Sequence, residues 1–88
     1  MADLTMYTTQ WCGYCVRLKA QLGRAGVDYR EVDIEADATA ADFVAAVNGG
    51  NRTVPTLLLP DGTTATNPRA AWVVSRMAEW TGAAEKAG

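Results

Sequence analysis

The chain of 88 residues has the length of one compact domain, long enough to bury a modest core without disulfides or a structural metal. With 49% hydrophobic and 20% charged residues, its composition is that of a globular protein and excludes an intrinsically disordered chain. A net charge of −2, without any dense Lys/Arg run, argues against nucleic acid and membrane surfaces as partners.

The N-terminal segment carries no signal for export. Residues 1–6 lack the basic start and the apolar stretch of a signal peptide, and no apolar run approaches the roughly 20 residues of a membrane span. We therefore expect a cytoplasmic monomer. Because cytosolic thiol buffers keep cysteines reduced, two closely spaced cysteines are there more often catalytic or metal-binding than a structural cross-link.

The first predicted elements are a strand and a helix joined by the two cysteines of the chain. Leu4 to Thr8 favours a β-strand that leads into Cys12 and Cys15. Apolar positions then recur at helical spacing until Gly26, which is placed to end the helix. These positions are Cys15, Leu18, Leu22 and Ala25. The pattern puts Cys12 at the start of a helix and Cys15 about one turn inside it.

A second strand and a second helix follow. The mixture of β-branched, aromatic and charged residues from Val27 to Ile34 predicts a strand. Thr39 and Asp42, three residues apart, resemble a capping box at the start of a helix. Its apolar stripe is predicted to consist of Phe43, Ala46 and Val47, and its end to fall at Asn48-Gly49-Gly50.

A β-hairpin comes next in the chain. Residues 56–59 are a short apolar run, and the turn residues 60–62 separate it from a strand at residues 63–65. With a last helix added, the element order is β-α-β-α-β-β-α, which predicts a single α/β domain over residues 1–88. The first strand-helix-strand unit requires a crossover connection.

The last helix is predicted from its cap and its apolar period. Asn67 followed by Pro68 is typical of a helix N-terminus. The period continues through Val73, Met77 and Trp80. We expect the helix to fade near Gly82 and residues 83–88 to form a frayed tail.

The chemistry of the chain is predicted to lie at the cysteine pair. Unpaired backbone N–H groups and the helix dipole favour an anion at a helix start, so they favour the thiolate of Cys12, which is the nucleophilic form of cysteine. Cys15, deeper and on the apolar side, should stay protonated until it attacks a mixed disulfide at Cys12. The alternatives are two inert core cysteines or half of a zinc site, but the chain has no His and no further Cys to complete one.

Several segments, taken in order, resemble the glutaredoxin branch of the thioredoxin superfamily, and within it the mycoredoxins, which reduce mixed disulfides between proteins and mycothiol. The segments are Tyr7-Thr8-Thr9, Trp11-Cys12-Gly13-Tyr14-Cys15, Val32 to Glu35, Val47 to Pro55, Asp61-Gly62 and Thr66-Asn67-Pro68. The resemblance implies a thioredoxin fold with a four-stranded mixed central sheet flanked by helices.

The resemblance also implies roles for individual residues. Cys12 would be the nucleophile and Cys15 the resolving thiol, and Pro55 would follow a cis peptide bond and offer the backbone of Val54 to the substrate. The residues expected to bind substrate are Trp11, Tyr14, Thr53, Val54, Pro55, Thr66 and Asn67. No metal site is expected.

Alternatives remain open at some of these positions. Trp11 and Tyr14 form either an apolar wall beside the thiolate or part of the core. Asn67 is either a substrate contact or a plain helix cap. Arg52 either raises the local positive potential or is a solvated loop charge.

The chain departs from glutathione-binding glutaredoxins before its last helix. Those proteins usually carry Gly-Gly and an acidic residue there, whereas this chain has Thr64-Ala65-Thr66-Asn67-Pro68. Mycothiol bears sugars and an inositol in place of the γ-glutamyl carboxylate, so the Thr66 hydroxyl and the Asn67 amide would serve as donors and acceptors for it. Mycothiol is thus expected as a co-substrate, with no tightly bound cofactor, and mycothiolated or disulfide-containing proteins as partners.

Two other functions remain. One is a dithiol electron donor to ribonucleotide reductase, recharged by thioredoxin reductase, although the Trp-Ser-Gly-Phe-Arg-Pro segment usual in that group is missing from Thr64 to Arg69. The other is a non-enzymatic iron-sulfur carrier, in which Cys12 from two chains and two exogenous thiols hold one cluster.

Overall fold

The computed structural model describes residues 4–87, with side chains as far as Glu79. The elements follow the predicted order β-α-β-α-β-β-α. They are β1 (Thr5–Thr8), α1 (Gly13–Arg24), β2 (Arg30–Asp33), α2 (Ala38–Val47), β3 (Thr56–Leu58), β4 (Thr64–Thr66) and α3 (Ala70–Ala87). No helix within the described residues is long and apolar enough to cross a membrane.

The four strands form one mixed sheet in the order β2-β1-β3-β4. Strands β1 and β2 are parallel because α1 provides the crossover between them, whereas β3 runs antiparallel to both β1 and β4. The predicted mixed four-stranded sheet is confirmed.

Helices cover both faces of the sheet. Successive side chains of a strand point to opposite faces, and Met6 and Tyr7 of β1 accordingly join different clusters. On one face α1 and α3 bury the cluster Leu4, Met6, Leu18, Leu22, Leu57, Leu59 and Val73. On the other face α2 packs the cluster Ile34, Ala40, Ala41 and Val44, against which Tyr7, Val32, Phe43 and Val54 lie.

Helix α1 ends where the sequence predicts. Gly26 has a φ of +74°, in the left-handed region that favours glycine. The N–H of Val27 donates to the carbonyl of Leu22 at 3.0 Å, and the N–H of Gly26 donates to that of Gly23 at 3.2 Å. These two bonds satisfy carbonyls that the helix end would leave unpaired, and they fix the length of α1.

The predicted start of α2 is wrong, and its predicted apolar stripe is confirmed only at Phe43. Asp37 caps this helix, since its Oδ1 atom accepts a hydrogen bond from the Ala40 N–H at 3.1 Å, so Thr39 lies inside the helix. The buried face contains Ala40, Ala41 and Val44, whereas Val47 is 39% exposed. Of the predicted stripe, Phe43 packs against the cluster that contains Ile34, whereas Ala46 and Val47 are exposed.

The predicted ends of α3 are also wrong. Asn67 is not its N-cap: the residue lies in a turn with a φ of +47°, its N–H donates to the carbonyl of Pro55 at 2.7 Å, and the helix begins only at Ala70. The helix passes Gly82 and continues to Ala87, instead of fraying from residue 83, because the strong helix formers Ala-Ala-Glu-Lys-Ala follow the glycine. Gly88 and the side chain of Trp80 lie outside the described residues.

Candidate active site

Cys12 is the N-cap of α1, at the point where the chain leaves the carboxyl end of β1. Its backbone is extended, with φ −84° and ψ 109°, and its Sγ atom accepts a hydrogen bond from the N–H of Cys15 at 3.1 Å. A side chain in this position satisfies one of the four unpaired N–H groups of the first turn. The sulfur of Cys12 therefore lies at the positive end of the helix dipole and accepts a backbone hydrogen bond there.

The loop between α2 and β3 also contacts the sulfur of Cys12. The carbonyl oxygen of Val54 lies 3.7 Å from Cys12 Sγ and accepts a hydrogen bond from the thiol when Cys12 is protonated. The Val54–Pro55 peptide bond is cis, as the resemblance implies. Cys12 is only 5% exposed, so little of its surface is open to a substrate sulfur.

Cys15 lies fully buried beneath Cys12. Burial, followed by its hydrogen bond to Cys12, raises the pKa of Cys15 to about 12, although the charge of Lys19 opposes the shift. Cys15 is therefore a thiol at neutral pH. The structure thus places an anion-stabilising position at Cys12 and a protonated thiol at Cys15, which is the arrangement expected for a nucleophile and a resolving thiol.

A charged pair behind Cys15 was not predicted from the sequence. Lys19 Nζ and Thr8 Oγ1 each donate to Glu31 Oε2 at 2.8 Å. This contact, mainly through the hydrogen bond, raises the pKa of Lys19 and lowers that of Glu31. The available signal was the spacing of Cys15 and Lys19, which are four residues apart and so share one face of α1.

Within the described residues, two grooves each include one aromatic residue of the cysteine motif in their lining. One, the Tyr14 groove, has a volume of about 550 Å³ and is lined by Tyr14, Arg17, Leu18, Gln21, Asn67, Pro68, Arg69, Ala70 and Ala71. The other, the Trp11 groove, has a volume of about 580 Å³ and is lined by Thr9, Trp11, Ile34, Glu35, Ala36, Ala38, Ala41 and Arg52. The predicted substrate-binding residues Trp11 and Asn67 therefore lie in different grooves.

Both aromatic residues of the motif lie at the surface. Trp11 is 73% exposed and Tyr14 is 64% exposed, so neither is part of the core. The indole N–H of Trp11 donates to Glu35 Oε1 at 3.0 Å, which fixes the edge of the ring and leaves its face open. Each ring therefore offers an apolar surface to a bound molecule.

Two threonines of the predicted set make hydrogen bonds within the protein. The carbonyl of Thr53 accepts from Thr56 Oγ1 at 2.7 Å, and Thr66 Oγ1 donates to Asn48 Oδ1 at 2.6 Å. The one hydroxyl proton of Thr66 is thus engaged, which leaves this group only as an acceptor for a substrate. Asn48, which the sequence pattern identifies only as a helix stop, also donates to Val44 and Thr56 and so ties α2 to the hairpin.

Known proteins match the chain over this whole arrangement. The family model for glutaredoxin matches residues 4–63. A putative glutaredoxin from Mycobacterium tuberculosis is 54% identical over 81 residues, which cover 92% of this chain and 96% of that protein. Mycoredoxin 1 from Corynebacterium glutamicum is 44% identical over 77 residues, which cover 88% of this chain and 95% of that protein.

Solved structures agree with the fold. A glutaredoxin from Archaeoglobus fulgidus superposes with a TM-score of 0.66 at 24% identity, covering 83% of this chain and 83% of that chain. Glutaredoxin C1 from Populus tremula x tremuloides, in its holo form, superposes with a TM-score of 0.62 at 23% identity, covering 89% of this chain and 76% of that chain. The predicted thioredoxin fold is confirmed.

Proposed function

Since the chain belongs to the glutaredoxin family, we propose that this redox protein reduces mixed disulfides between proteins and mycothiol, with Cys12 as nucleophile and Cys15 as resolving thiol. The observation that carries the proposal is the hydrogen bond from the Cys15 N–H to Cys12 Sγ at a helix start. It places the Cys12 sulfur at a helix N-terminus, which is a position where the nucleophiles of disulfide exchange are found.

The reaction follows from the position of Cys12. Its thiolate attacks the mycothiol sulfur of the mixed disulfide, the old S–S bond breaks, and the protein thiolate leaves and takes a proton from water. Cys12 is now joined to mycothiol. The thiolate of a second mycothiol attacks the mycothiol sulfur of this disulfide, which forms oxidised mycothiol and releases Cys12 as a thiolate.

Cys15 serves a second route. When Cys12 attacks the sulfur of a protein instead, mycothiol or the second protein sulfur leaves and Cys12 is joined to the protein. Cys15 then loses its proton and attacks Cys12 Sγ, which forms the Cys12–Cys15 disulfide and frees the protein thiol. Cys15 lies directly below Cys12, so this attack needs no large movement.

Mycothiol is favoured over glutathione by the residues before α3. The Gly-Gly and acidic residue usual in glutathione-binding glutaredoxins are replaced by Thr64 to Pro68, so the chain lacks the residues that hold the carboxylate of glutathione there. The high identity to a mycoredoxin supports the same choice. We infer that the protein works as a cytoplasmic monomer, with mycothiol as co-substrate and mycothiolated or disulfide-containing proteins as partners.

A comparison of two substrates tests the proposal. The reduced protein is mixed with one peptide, carried as its mycothiol or as its glutathione mixed disulfide, and peptide release is followed. We expect much faster release from the mycothiol disulfide, and no release from either by Cys12→Ser. Equal rates on the two disulfides would leave a general glutaredoxin and refute the mycothiol proposal.

A further inference from the structure

The Trp11 groove has features that reduction of a disulfide by two cysteines does not require. It contains an open indole face, a carboxylate, a guanidinium and a buried hydroxyl, supplied by Trp11, Glu35, Arg52 and Thr9. Its volume of about 580 Å³ falls in the range of small-molecule sites. The groove therefore has the chemistry and the size to hold part of a substrate.

We propose that the Trp11 groove binds the neutral polyhydroxylated rings, pyranose and cyclitol, of the thiol co-substrate. The inference rests on the proposed function, because it assigns a place to the sugar part of mycothiol. The Trp11 groove would then determine the specificity for that thiol, whereas the residues before α3 lie in the Tyr14 groove.

The side chains of the groove match the chemistry of a pyranose ring. A pyranose ring has apolar C–H faces and a rim of hydroxyls that both donate and accept hydrogen bonds. The face of Trp11 provides the apolar contact. Glu35 uses only Oε1 for the indole N–H, so Oε2 remains an acceptor, and the Arg52 guanidinium supplies donors.

The hydroxyl of Thr9 is a buried polar group in need of a partner. This residue is only 5% exposed and lines the groove, and its Oγ1 atom has no hydrogen-bond partner among the described residues. A buried hydroxyl without a partner is rare in proteins and calls for a ligand or a water molecule. A ring hydroxyl at the floor of the groove would pair with it.

The groove includes a residue that contacts Cys12. The backbone carbonyl of Thr9, which lines the groove, accepts a hydrogen bond from the N–H of Cys12 at 3.4 Å. Val54, whose carbonyl lies 3.7 Å from Cys12 Sγ, packs against the cluster that contains Ile34 and Ala41, and both residues line the groove. A thiol bound through its rings in this groove would thus present its sulfur to Cys12.

The Tyr14 groove differs in charge. It contains Arg17 and Arg69, and its lining includes no carboxylate. Within the described residues neither guanidinium has a carboxylate within 4.0 Å. This positively charged groove suits the protein or peptide side of a mixed disulfide when that side is anionic. It offers no carboxylate that could accept hydrogen bonds from the hydroxyls of a neutral ring.

Steady-state kinetics on two substrates tests the inference. One substrate is the mycothiol mixed disulfide of a peptide, and the other is the mixed disulfide of the same peptide with 2-hydroxyethanethiol, which has no ring. For Trp11→Leu and Glu35→Ala we expect the ratio of kcat/KM between the two substrates to fall about tenfold, through KM for the mycothiol substrate. Trp72→Leu and Glu79→Ala are matched controls, because both residues lie on α3 outside the two grooves.

Direct binding provides a second readout that does not depend on activity. The probe is the thiol-free N-acetylglucosaminyl-inositol, whose acetylated nitrogen keeps it uncharged, added to protein labelled with ¹⁵N. We expect the indole N–H signal of Trp11, identified by its loss in Trp11→Leu, to shift, while that of Trp72 stays in place.

The outcomes separate the inference from the function on which it rests. An unchanged ratio in Trp11→Leu and Glu35→Ala, in a protein that strongly prefers the mycothiol disulfide, overturns the inference and leaves the function standing. An equal loss on both substrates also overturns it, because the groove would then serve catalysis in general. A wild-type protein that does not prefer mycothiol to glutathione refutes the proposed function itself.

Discussion

The amide N–H of Cys15 points at the sulfur of Cys12, 3.1 Å away, while the sulfur of Cys15 is buried beneath it. Cys15 thus donates to the Cys12 sulfur through its backbone and carries the buried thiol on its side chain. The hydrogen bond requires the N-cap position of Cys12, and this position follows from the three residues between β1 and the cysteine. We therefore expect the two thiols to differ in reactivity because of their places in one helical turn.

Selective alkylation tests this difference. In the reduced wild-type protein we expect iodoacetamide at pH 7 to modify Cys12 and to leave Cys15 almost unmodified, because burial raises the pKa of Cys15 to about 12. The rate at Cys15 should rise with pH throughout the range from 7 to 11, since its thiolate fraction grows about tenfold for each pH unit below the pKa. Mass spectrometry of digested protein measures both rates. Equal modification of the two cysteines at pH 7 would contradict the assignment of roles.

The charge of Lys19 should assist the second route. Lys19 lowers the pKa of Cys15, so Lys19→Met should raise that pKa further and slow the release of a protein bound to Cys12. A higher pH should restore the rate, because the thiolate of Cys15 becomes more populated. Stopped-flow measurements on an intramolecular protein disulfide follow this step.

Lys19→Arg is the matched control for that prediction because it keeps the positive charge beside Glu31. We expect this variant to behave as the wild type. A loss of rate in Lys19→Arg equal to that in Lys19→Met would indicate a structural cause. The ion pair itself is 29% and 40% exposed at its two side chains, so its loss should change stability little.

Asn48 should be important for stability. Its side chain donates to the Val44 carbonyl at 2.9 Å and to the Thr56 hydroxyl at 3.1 Å, and it accepts from Thr66 at 2.6 Å. Asn48→Ala would leave the fully buried Thr56 with one partner fewer, and we expect the free energy of unfolding to fall by about 2 kcal/mol. Urea denaturation measures this change.

Asn51→Ala provides the comparison for Asn48→Ala. Asn51 is exposed and makes one long bond of 3.4 Å to the Asn48 carbonyl, so its replacement should cost less than about 0.5 kcal/mol. Similar losses in the two variants would show that the contacts of Asn48 do not stabilise the link between α2 and the hairpin.

Much of the fold could be predicted from the sequence because its signals are local. The β-strand before Cys12, the helical period after it and Gly26 at its end specify the strand-helix unit that carries the cysteines. The predicted start of α2 is wrong because Asp37 and Thr39 are both good caps, and in the structure it is Asp37 that caps the helix. Sequence gives no means of making that choice.

Only part of the candidate site could be predicted from the sequence. Cys12 and Cys15 form a local motif, so their positions in one helical turn followed directly from spacing. The contacts of Thr66 with Asn48 and of Trp11 with Glu35 join residues 18 and 24 positions apart, and they depend on the packing of different elements. The division of the predicted substrate residues between two grooves is likewise a property of the folded chain.

The measurement that tests the central claim most directly compares two cysteine variants on a mycothiol mixed disulfide. A small sugar thiol fits a shallow groove beside Cys12 more easily than a folded protein backbone does, so we expect Cys12 to attack the mycothiol sulfur. Cys15→Ser should then keep substantial activity on this substrate and lose the reduction of intramolecular protein disulfides, while Cys12→Ser should lose both activities. A Cys15→Ser variant as inactive as Cys12→Ser on the mycothiol substrate would contradict the account and show that the protein works only as a dithiol reductase.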